Sequence, residues 1–238
     1  MARIIGIAPT LPPGAPGESN MLDFYKLGDN YTKRLTEAGC IPICLAPADG
    51  WVSEEALDLC DAFLVQGGPK FRPFHFQVIH HAITTGKRYL GVCLGKQLIY
   101  MYLELRRRVE AEGYEGDLVR AIWQYRQEKC PGVSVLRKVP NHYREFPPRG
   151  QEDLAKHDVN VVPGTLLHRV VGQDTIRLAS FHHGNTPLGQ ELVTVNAWSA
   201  LDDDVIEGTE YGENILGIQG HPEVDDLLPQ FFTFLTQP

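Results

Sequence analysis

Short runs of consecutive apolar residues alternate with stretches of helical spacing over the first half of the chain. Because such runs leave no polar face, they predict buried strands at Ile4 to Pro9, Ile41 to Leu45, Ala62 to Val65 and Arg88 to Val92. Helices are predicted between them at Leu22 to Ala38, Ser53 to Leu57, Phe76 to Thr85 and Leu94 to Glu112. The alternation predicts an α/β fold, in which helices cover both faces of a mostly parallel central sheet as a three-layer α/β/α arrangement.

The second half of the chain has a different pattern. Strands are predicted at Val159 to Val162, Thr175 to Ala179, Leu192 to Val195 and Ile215 to Ile218, and a closing helix at Leu227 to Leu235. A polar region around Pro140, Pro147 and Pro148 is assigned to neither helix nor strand. Because no linker or repeat divides the sequence, residues 1–238 are expected to form a single domain.

Composition excludes several classes of protein. The 238 residues are 43% hydrophobic, which is enough for a substantial core, and they carry a net charge of −8. That charge disfavours nucleic acid and anionic membranes as partners, since both attract cationic surfaces. No signal peptide or membrane span is expected, and five cysteines cannot all pair within one chain. We therefore expect a cytoplasmic protein with free thiols.

One cysteine has the surroundings of a nucleophile. Gly91-Val92-Cys93-Leu94-Gly95 lies where a predicted strand meets a predicted helix. A sharp turn there exposes the central residue at the carboxyl edge of the sheet, and the flanking glycines make room for the tight backbone. The amino end of the following helix favours the thiolate. A small buried cysteine within a strand is the alternative, and the two glycines favour the nucleophile.

A cysteine nucleophile needs a base, a group that orients the base, and donors for the oxyanion. His221-Pro222-Glu223 follows an apolar strand, so His221 can face Cys93 while Glu223 accepts its other N–H. The N–H of Leu94 is one oxyanion donor, and the Gly67-Gly68 turn is a second source. Alone, His-Pro-Glu fits a surface turn equally well, and Gly-Gly fits a plain turn.

These motifs together resemble the class I glutamine amidotransferase superfamily. The resemblance rests on three segments that follow the superfamily's order along the chain: Gly67-Gly68-Pro69, Gly91 to Gln97 and Gln219 to Glu223. Within it the chain is most similar to the γ-glutamyl-γ-aminobutyrate hydrolase family of γ-glutamyl peptidases, through Tyr31 to Pro42, His157 to Leu167 and Ser180 to His183. The resemblance implies a flavodoxin-like class I glutamine amidotransferase fold.

The resemblance also implies the roles of individual residues. It makes Cys93 the nucleophile, His221 the base and Glu223 its orienter, and it assigns the oxyanion to Gly68 and Leu94. The γ-glutamyl site would include Gln97 and the stretch that contains Ser180, Phe181, His182 and His183. From the residues alone, His182-His183 fits a structural turn equally well. Neither a metal nor a cofactor is expected, because the spacing of His, Cys and acidic residues matches no metal-binding motif.

Several residues depart from the hydrolase family's pattern, and they put the substrate in doubt. Leu94 replaces the usual arginine, Lys96 is an unusual cation, and Gly184 and Gly220 replace the expected glutamine and tryptophan. The leading hypothesis is a hydrolase of γ-glutamyl amides, with no attached synthase, that acts through a glutamyl thioester. The alternatives are a glutaminase subunit that supplies ammonia to a separate synthase, and a non-catalytic regulatory homologue. A small-molecule γ-glutamyl substrate is expected, and formation of a homodimer is left open.

Overall fold

The computed structural model describes residues 2–11, 24–131, 135–139, 142, 147–148, 150–189, 191–224 and 226–237, without the side chain of Glu152. The strands are β1 (Ile4–Ala8), β2 (Ile41–Cys44), β3 (Ala62–Val65), β4 (Arg88–Val92), β5 (Arg137–Lys138), β6 (Lys156–Val161), β7 (Thr175–Ala179), β8 (Gly184–Asn185), β9 (Thr194–Ser199), β10 (Ile206–Tyr211) and β11 (Ile215–Ile218). The helices are α1 (Asp29–Glu37), α2 (Glu54–Leu59), α3 (Pro73–Thr85), α4 (Leu94–Ala111), α5 (Leu118–Lys129), α6 (Leu166–Val171) and α7 (Gln230–Thr233).

A large central sheet organises the molecule. Over the described part of the chain it has nine strands in the order β2-β1-β3-β4-β11-β10-β9-β6-β7. The five strands from β2 to β11 are parallel, and each later neighbour is antiparallel to the one before it. Strands β5 and β8 form a separate antiparallel ribbon. The fold class predicted from the sequence is confirmed, and the single-domain organisation stays a prediction.

Two hydrophobic cores cover the two faces of the sheet. One contains side chains of α3, α4 and α5, such as Phe76, Leu98 and Ile122, and the other contains side chains of α1, α6 and α7, such as Leu35 and Phe231. In the described ranges, no helix has both the length and the apolarity needed to cross a membrane.

Most predicted elements agree with the structure, and a few differ for identifiable reasons. Helix α1 begins at Asp29 rather than Leu22, because the backbone of Lys26 pairs with that of Thr10 through bonds of 2.7 and 3.0 Å. Residues 22–23 lie outside the described part. The closing helix is shorter than predicted and continues as a 3-10 turn, Phe234–Thr236. Helices α5 and α6 and strand β10 were not predicted.

Candidate active site

Cys93 lies at a strained turn between β4 and α4. Its backbone has φ 51° and ψ −101°, a left-handed conformation that side-chain-bearing residues rarely adopt. A Cβ atom at Gly91 would lie 2.5 Å from the carbonyl carbon of Gly95, and one at Gly95 would lie 2.2 Å from the backbone oxygen of Val65. Both glycines are therefore needed for α4 to pack closely on β3 and β4. This is the geometry predicted for a nucleophile elbow.

The carboxyl ends of three adjacent parallel strands bring the candidate residues together. Strand β4 lies between β3 and β11, so Gly67, Cys93 and His221 follow neighbouring strands at one edge. The Cys93 N–H donates to the Ile218 oxygen at 2.8 Å. A Cβ at Gly67 would lie 2.8 Å from Cε1 of His221 and 3.3 Å from Cβ of Cys93. The imidazole and the cysteine therefore lie against the same glycine.

Glu223 holds the His221 ring. The ring's Nδ1 lies 2.7 Å from Oε1 of Glu223, and both side chains are largely buried. Burial alone would lower the pKa of His221, but the Glu223 carboxylate and the Cys93 sulfur outweigh it and raise that pKa well above its ordinary value. The arrangement can therefore accept a proton from a thiol and stabilise the resulting imidazolium.

Tyr31 is a site residue that the sequence reasoning did not single out. Its hydroxyl accepts a hydrogen bond from the N–H of Gly67 at 3.1 Å. Burial, reinforced by the Glu223 carboxylate, raises the pKa of Tyr31 well above its ordinary value, so the phenol stays protonated. The Gly67 amide is thus occupied within the protein. No larger residue fits at Gly68, because a Cβ there would lie 2.0 Å from Oγ1 of Thr10.

Leu94 and Gln97 occupy the first turn of α4. Leu94 is the first helical residue, so its N–H has no acceptor within the helix and can serve an oxyanion. Gln97 is buried, and its side-chain amide donates to the backbone oxygen of Gly184 at 2.8 Å. That bond holds the stretch after β7 against the nucleophile helix.

The four residues predicted from Ser180 to His183 face different surroundings. The Phe181 ring lies against His221, with 5.3 Å between ring centroids. Ser180 is buried, and its hydroxyl donates to the backbone oxygen of His142 at 3.1 Å. His182 is buried beside Glu207, whereas His183 is exposed. The structure therefore brings Phe181 to the candidate site and directs Ser180 and His182 elsewhere.

Lys96 is buried one helical residue beyond Gly95. Its ammonium donates to the backbone oxygen of Ile206 at 2.9 Å and to Oδ1 of Asn185 at 3.2 Å. Burial lowers its pKa to about 7, and the Glu207 carboxylate limits that fall. The unusual cation therefore ties α4 to β10 and β8 instead of facing solvent.

A comparison with protein families decides which family contains the chain. The Peptidase C26 family matches residues 74–223, which include Cys93, His221 and Glu223. The chain belongs to the Peptidase C26 family. This membership supports a hydrolase or amidotransferase enzyme. No curated protein sequence matches the chain.

Three solved structures with a similar fold are a glutaminase domain and two glutamine amidotransferases. The glutaminase domain of CTPS from Trypanosoma brucei, with bound acivicin, has a TM-score of 0.66 at 15% identity, over 99% of this chain and 93% of that one. A glutamine amidotransferase from Thermotoga maritima has a TM-score of 0.55 at 15% identity, over 93% and 76%. One from Methylobacillus flagellatus has a TM-score of 0.53 at 14% identity, over 94% and 71%. These structures, at 14–15% identity, show the shared fold, and together with the Peptidase C26 match they confirm the resemblance to class I glutamine amidotransferases. The γ-glutamyl-γ-aminobutyrate hydrolase assignment stays a prediction.

Proposed function

We propose that this chain hydrolyses γ-glutamyl amide bonds through a glutamyl thioester on Cys93. The observation that carries the proposal is the strained, positive-φ conformation of Cys93 beside the hydrogen-bonded pair His221 and Glu223. Such strain persists in folded proteins where it positions a reactive group. Membership in a peptidase family is consistent with hydrolysis as the outcome.

The reaction proceeds in two halves. His221 takes the thiol proton of Cys93, and the sulfur attacks the γ-carbonyl carbon. The N–H groups of Leu94 and Gly68 donate hydrogen bonds to the oxyanion that forms. His221 then passes its proton to the leaving amine as the C–N bond breaks, which leaves the glutamyl thioester. Water attacks the thioester with His221 as base, the C–S bond breaks, and glutamate leaves while the thiol regains its proton.

The γ-glutamyl group would lie between Phe181 and the start of α4. Phe181 lies against His221, and Gln97 lines the same end of the helix. Helix α5 packs near the loop that follows Gly68, since Trp123 and Arg126 lie over Phe71 at 5.9 and 4.6 Å. We propose that the surface formed by Phe71, Trp123 and Arg126 contacts the leaving amine.

A substrate screen of the purified chain tests the proposal. γ-Glutamyl amines, γ-glutamyl peptides and glutamine are incubated with the wild type and with Cys93→Ala, and released glutamate is measured. We expect turnover by the wild type, none above background in the variant, and an unchanged circular-dichroism spectrum. Turnover by Cys93→Ala would refute the mechanism. Failure of an oxo-norleucine electrophile to label Cys93 in the wild type would refute any enzymatic function there.

A glutaminase subunit is the second candidate. It is favoured by the glutaminase domain from Trypanosoma brucei, which covers nearly the whole chain. The same screen distinguishes the two, because a glutaminase subunit cleaves glutamine efficiently only with its synthase present. Cleavage of γ-glutamyl amines by the chain alone supports the hydrolase.

A further inference from the structure

A second cluster of reactive side chains lies apart from Cys93, at the antiparallel end of the sheet. It contains three histidines and one glutamate: His142, His157 of β6, His182 after β7, and Glu207 of β10. Their side chains are 1%, 3%, 1% and 0% exposed. Three separate parts of the chain thus converge on one buried carboxylate from a fourth. None of these four side chains takes part in the proposed hydrolysis.

The nitrogen–oxygen distances within the cluster are longer than those of ordinary hydrogen bonds. The Nε2 atoms of His157, His182 and His142 lie 3.4, 3.5 and 3.9 Å from Oε1 of Glu207. A hydrogen bond between nitrogen and oxygen spans about 2.7–3.2 Å. Two ligands of a tetrahedral Zn²⁺, each about 2.0–2.2 Å from the ion, lie about 3.3–3.6 Å apart. Ligand atoms of His142, His157 and Glu207 all lie within 4.8 Å of one another.

The other ring nitrogens determine what faces the carboxylate. Nδ1 of His157 lies 3.0 Å from the backbone oxygen of Asp158, and Nδ1 of His182 lies 3.1 Å from that of Gly184. Because a carbonyl oxygen only accepts, each Nδ1 carries the hydrogen, and a neutral ring then directs the lone pair of Nε2 at Glu207. This backbone-bonded orientation is the one that metal-binding histidines adopt.

Protonation of the rings cannot satisfy the whole cluster. Among the described residues, Nε2 of His157, Nε2 of His182 and both carboxylate oxygens of Glu207 have no hydrogen-bond partner. One carboxylate balances a single imidazolium, and a second would add an uncompensated buried charge beside Lys96.

We propose that this cluster binds one divalent transition-metal ion of the Zn²⁺ class, through one ring nitrogen each of His142 and His157 and one carboxylate oxygen of Glu207. Imidazole and carboxylate are ligands that Zn²⁺ prefers, and three protein ligands leave the fourth tetrahedral position open. His142 is the weakest of the three, because its Nε2 also lies 3.3 Å from the hydroxyl of Ser199. The proposal holds whether or not the chain is a γ-glutamyl hydrolase.

No metal was expected from the sequence, since the ligands come from three distant positions that form no spacing motif. The structural consequence is local. An ion there fixes β6 and β10 to His142, whose backbone oxygen accepts from the Ser180 hydroxyl. Ser180 begins the stretch that leads Phe181 to His221 and Gly184 to Gln97. The metal site therefore stabilises the stretch between Ser180 and Asn185, which borders the candidate active site, and it makes no contact with a substrate.

Metal titration of the full chain tests the proposal. The protein is stripped with a chelator, dialysed, and titrated with Zn²⁺ by calorimetry and with Co²⁺ by visible absorption. We expect one equivalent of each, with the intense bands of four-coordinate Co²⁺. Glu207→Gln and His157→Gln should each weaken Zn²⁺ binding by at least roughly 100-fold, and His142→Gln by less.

Two control variants locate the ion. Cys93→Ala should keep full Zn²⁺ affinity, because neither Cys93 nor His221 is a proposed ligand of the ion. His81→Gln should also keep it, although His81 is buried with the carboxylates of Glu54 and Asp58 each 3.6 Å from its ring.

Any of the following results would overturn the proposal: a stripped wild type that binds no Zn²⁺, full affinity in Glu207→Gln, or loss of affinity in Cys93→Ala. If Glu207→Gln does not fold, the Co²⁺ spectra of the wild type and Cys93→Ala decide the matter. A six-coordinate spectrum in the wild type counts against the site.

Discussion

His221 shows how one residue's protonation is set by its immediate neighbours. The ring is buried, and burial by itself favours the neutral imidazole. Glu223 at 2.7 Å reverses that preference, and the sulfur of Cys93 adds to the reversal. A cationic His221 beside Cys93 is the partner that a thiolate requires.

Replacement of Glu223 by glutamine removes the charge but leaves an oxygen that can accept the Nδ1–H of His221. We expect the pKa of His221 to fall and kcat/KM to drop by about 10²–10⁴-fold. Because fewer molecules then hold the thiolate and imidazolium together, alkylation of Cys93 by iodoacetamide should slow near neutral pH. The rate of alkylation between pH 5 and 9 measures this.

The matched control is Glu112→Gln, an exposed carboxylate in a surface ion pair with Lys129. It should alkylate like the wild type. A Glu223→Gln profile that overlays the wild-type profile would show that Glu223 does not act through His221.

Residues inside recognisable motifs were predictable from the sequence, and their partners were not. Cys93, His221 and Glu223 stand in short patterns whose chemistry fixes their meaning. Tyr31 lies more than thirty residues from Gly67, and only the pairing of α1 with the sheet edge shows that its hydroxyl binds the Gly67 amide at 3.1 Å. Lys96 has the same difficulty, because its acceptors at Asn185 and Ile206 follow from a tertiary arrangement.

At the scale of elements, buried apolar strands were predictable and polar strands were not. Strands β3, β4 and β11 match the predicted bounds because, apart from the partly buried Arg88 at the start of β4, their residues are buried and apolar or glycine. Strand β10 contains the polar residues Glu207, Thr209 and Glu210, all of them buried. A run of polar residues is typical of a loop, so the sequence pattern did not predict this strand. The described partners of Glu210 are distant in sequence, since it accepts from the side-chain amide of Asn196 and from the backbone amides of Leu166 and Leu167 at the start of α6.

The contact between α4 and β3 is a further element-scale feature with a measurable consequence. Gly95→Ala places a methyl group 2.2 Å from the backbone oxygen of Val65, so the start of α4 must move. Alanine is otherwise the better helix former, so any loss comes from packing. We expect destabilisation by about 1–3 kcal/mol and a large fall in the alkylation rate of Cys93. Urea unfolding and iodoacetamide kinetics measure the two effects.

Gly86→Ala is the matched control. Gly86 ends α3 at the opposite edge of the sheet with φ 73°, and no atom of the described residues lies within 4 Å of an added Cβ. It should cost about 1 kcal/mol through backbone strain alone and leave Cys93 reactivity unchanged. Equal effects of the two substitutions on Cys93 reactivity would contradict the packing argument.

At the scale of the whole molecule, the antiparallel half of the sheet curls back onto the parallel half. Ala179 ends the outermost strand, β7, yet its oxygen accepts from the His221 N–H at 2.9 Å. Gly220 permits this closure, because a Cβ there would lie 2.6 Å from Cβ of Leu178. The expected tryptophan would not fit. Strand order cannot be read from local sequence, so neither the closure nor the reason for Gly220 was predictable.

The stability of the whole molecule should fall in mild acid because of His75. This residue is buried at the third position of α3, where Nδ1 accepts the Arg72 N–H at 3.0 Å, and burial lowers its pKa to about 3. The His75 ring takes up a proton near pH 6.5 in the unfolded chain and near pH 3 in the folded chain. The contribution of neutral His75 to stability is therefore fully present above pH 6.5 and is lost as the pH falls between those values. His75 alone should cost about 1.4 kcal/mol at pH 5.5.

His75→Gln isolates this contribution, because glutamine also accepts the N-cap amide in a capping box but does not titrate. Urea unfolding at pH 7.5 and 5.5 gives the free energy of unfolding of both proteins. The variant is expected to be less stable at pH 7.5, since it loses the ring that stacks on Phe74 at 4.0 Å. Between the two pH values, however, the wild type should lose about 1.4 kcal/mol more than the variant. Equal losses would mean that His75 takes up its proton in the folded protein as readily as in the unfolded chain, and an NMR titration of the His75 ring would then show the transition above pH 5.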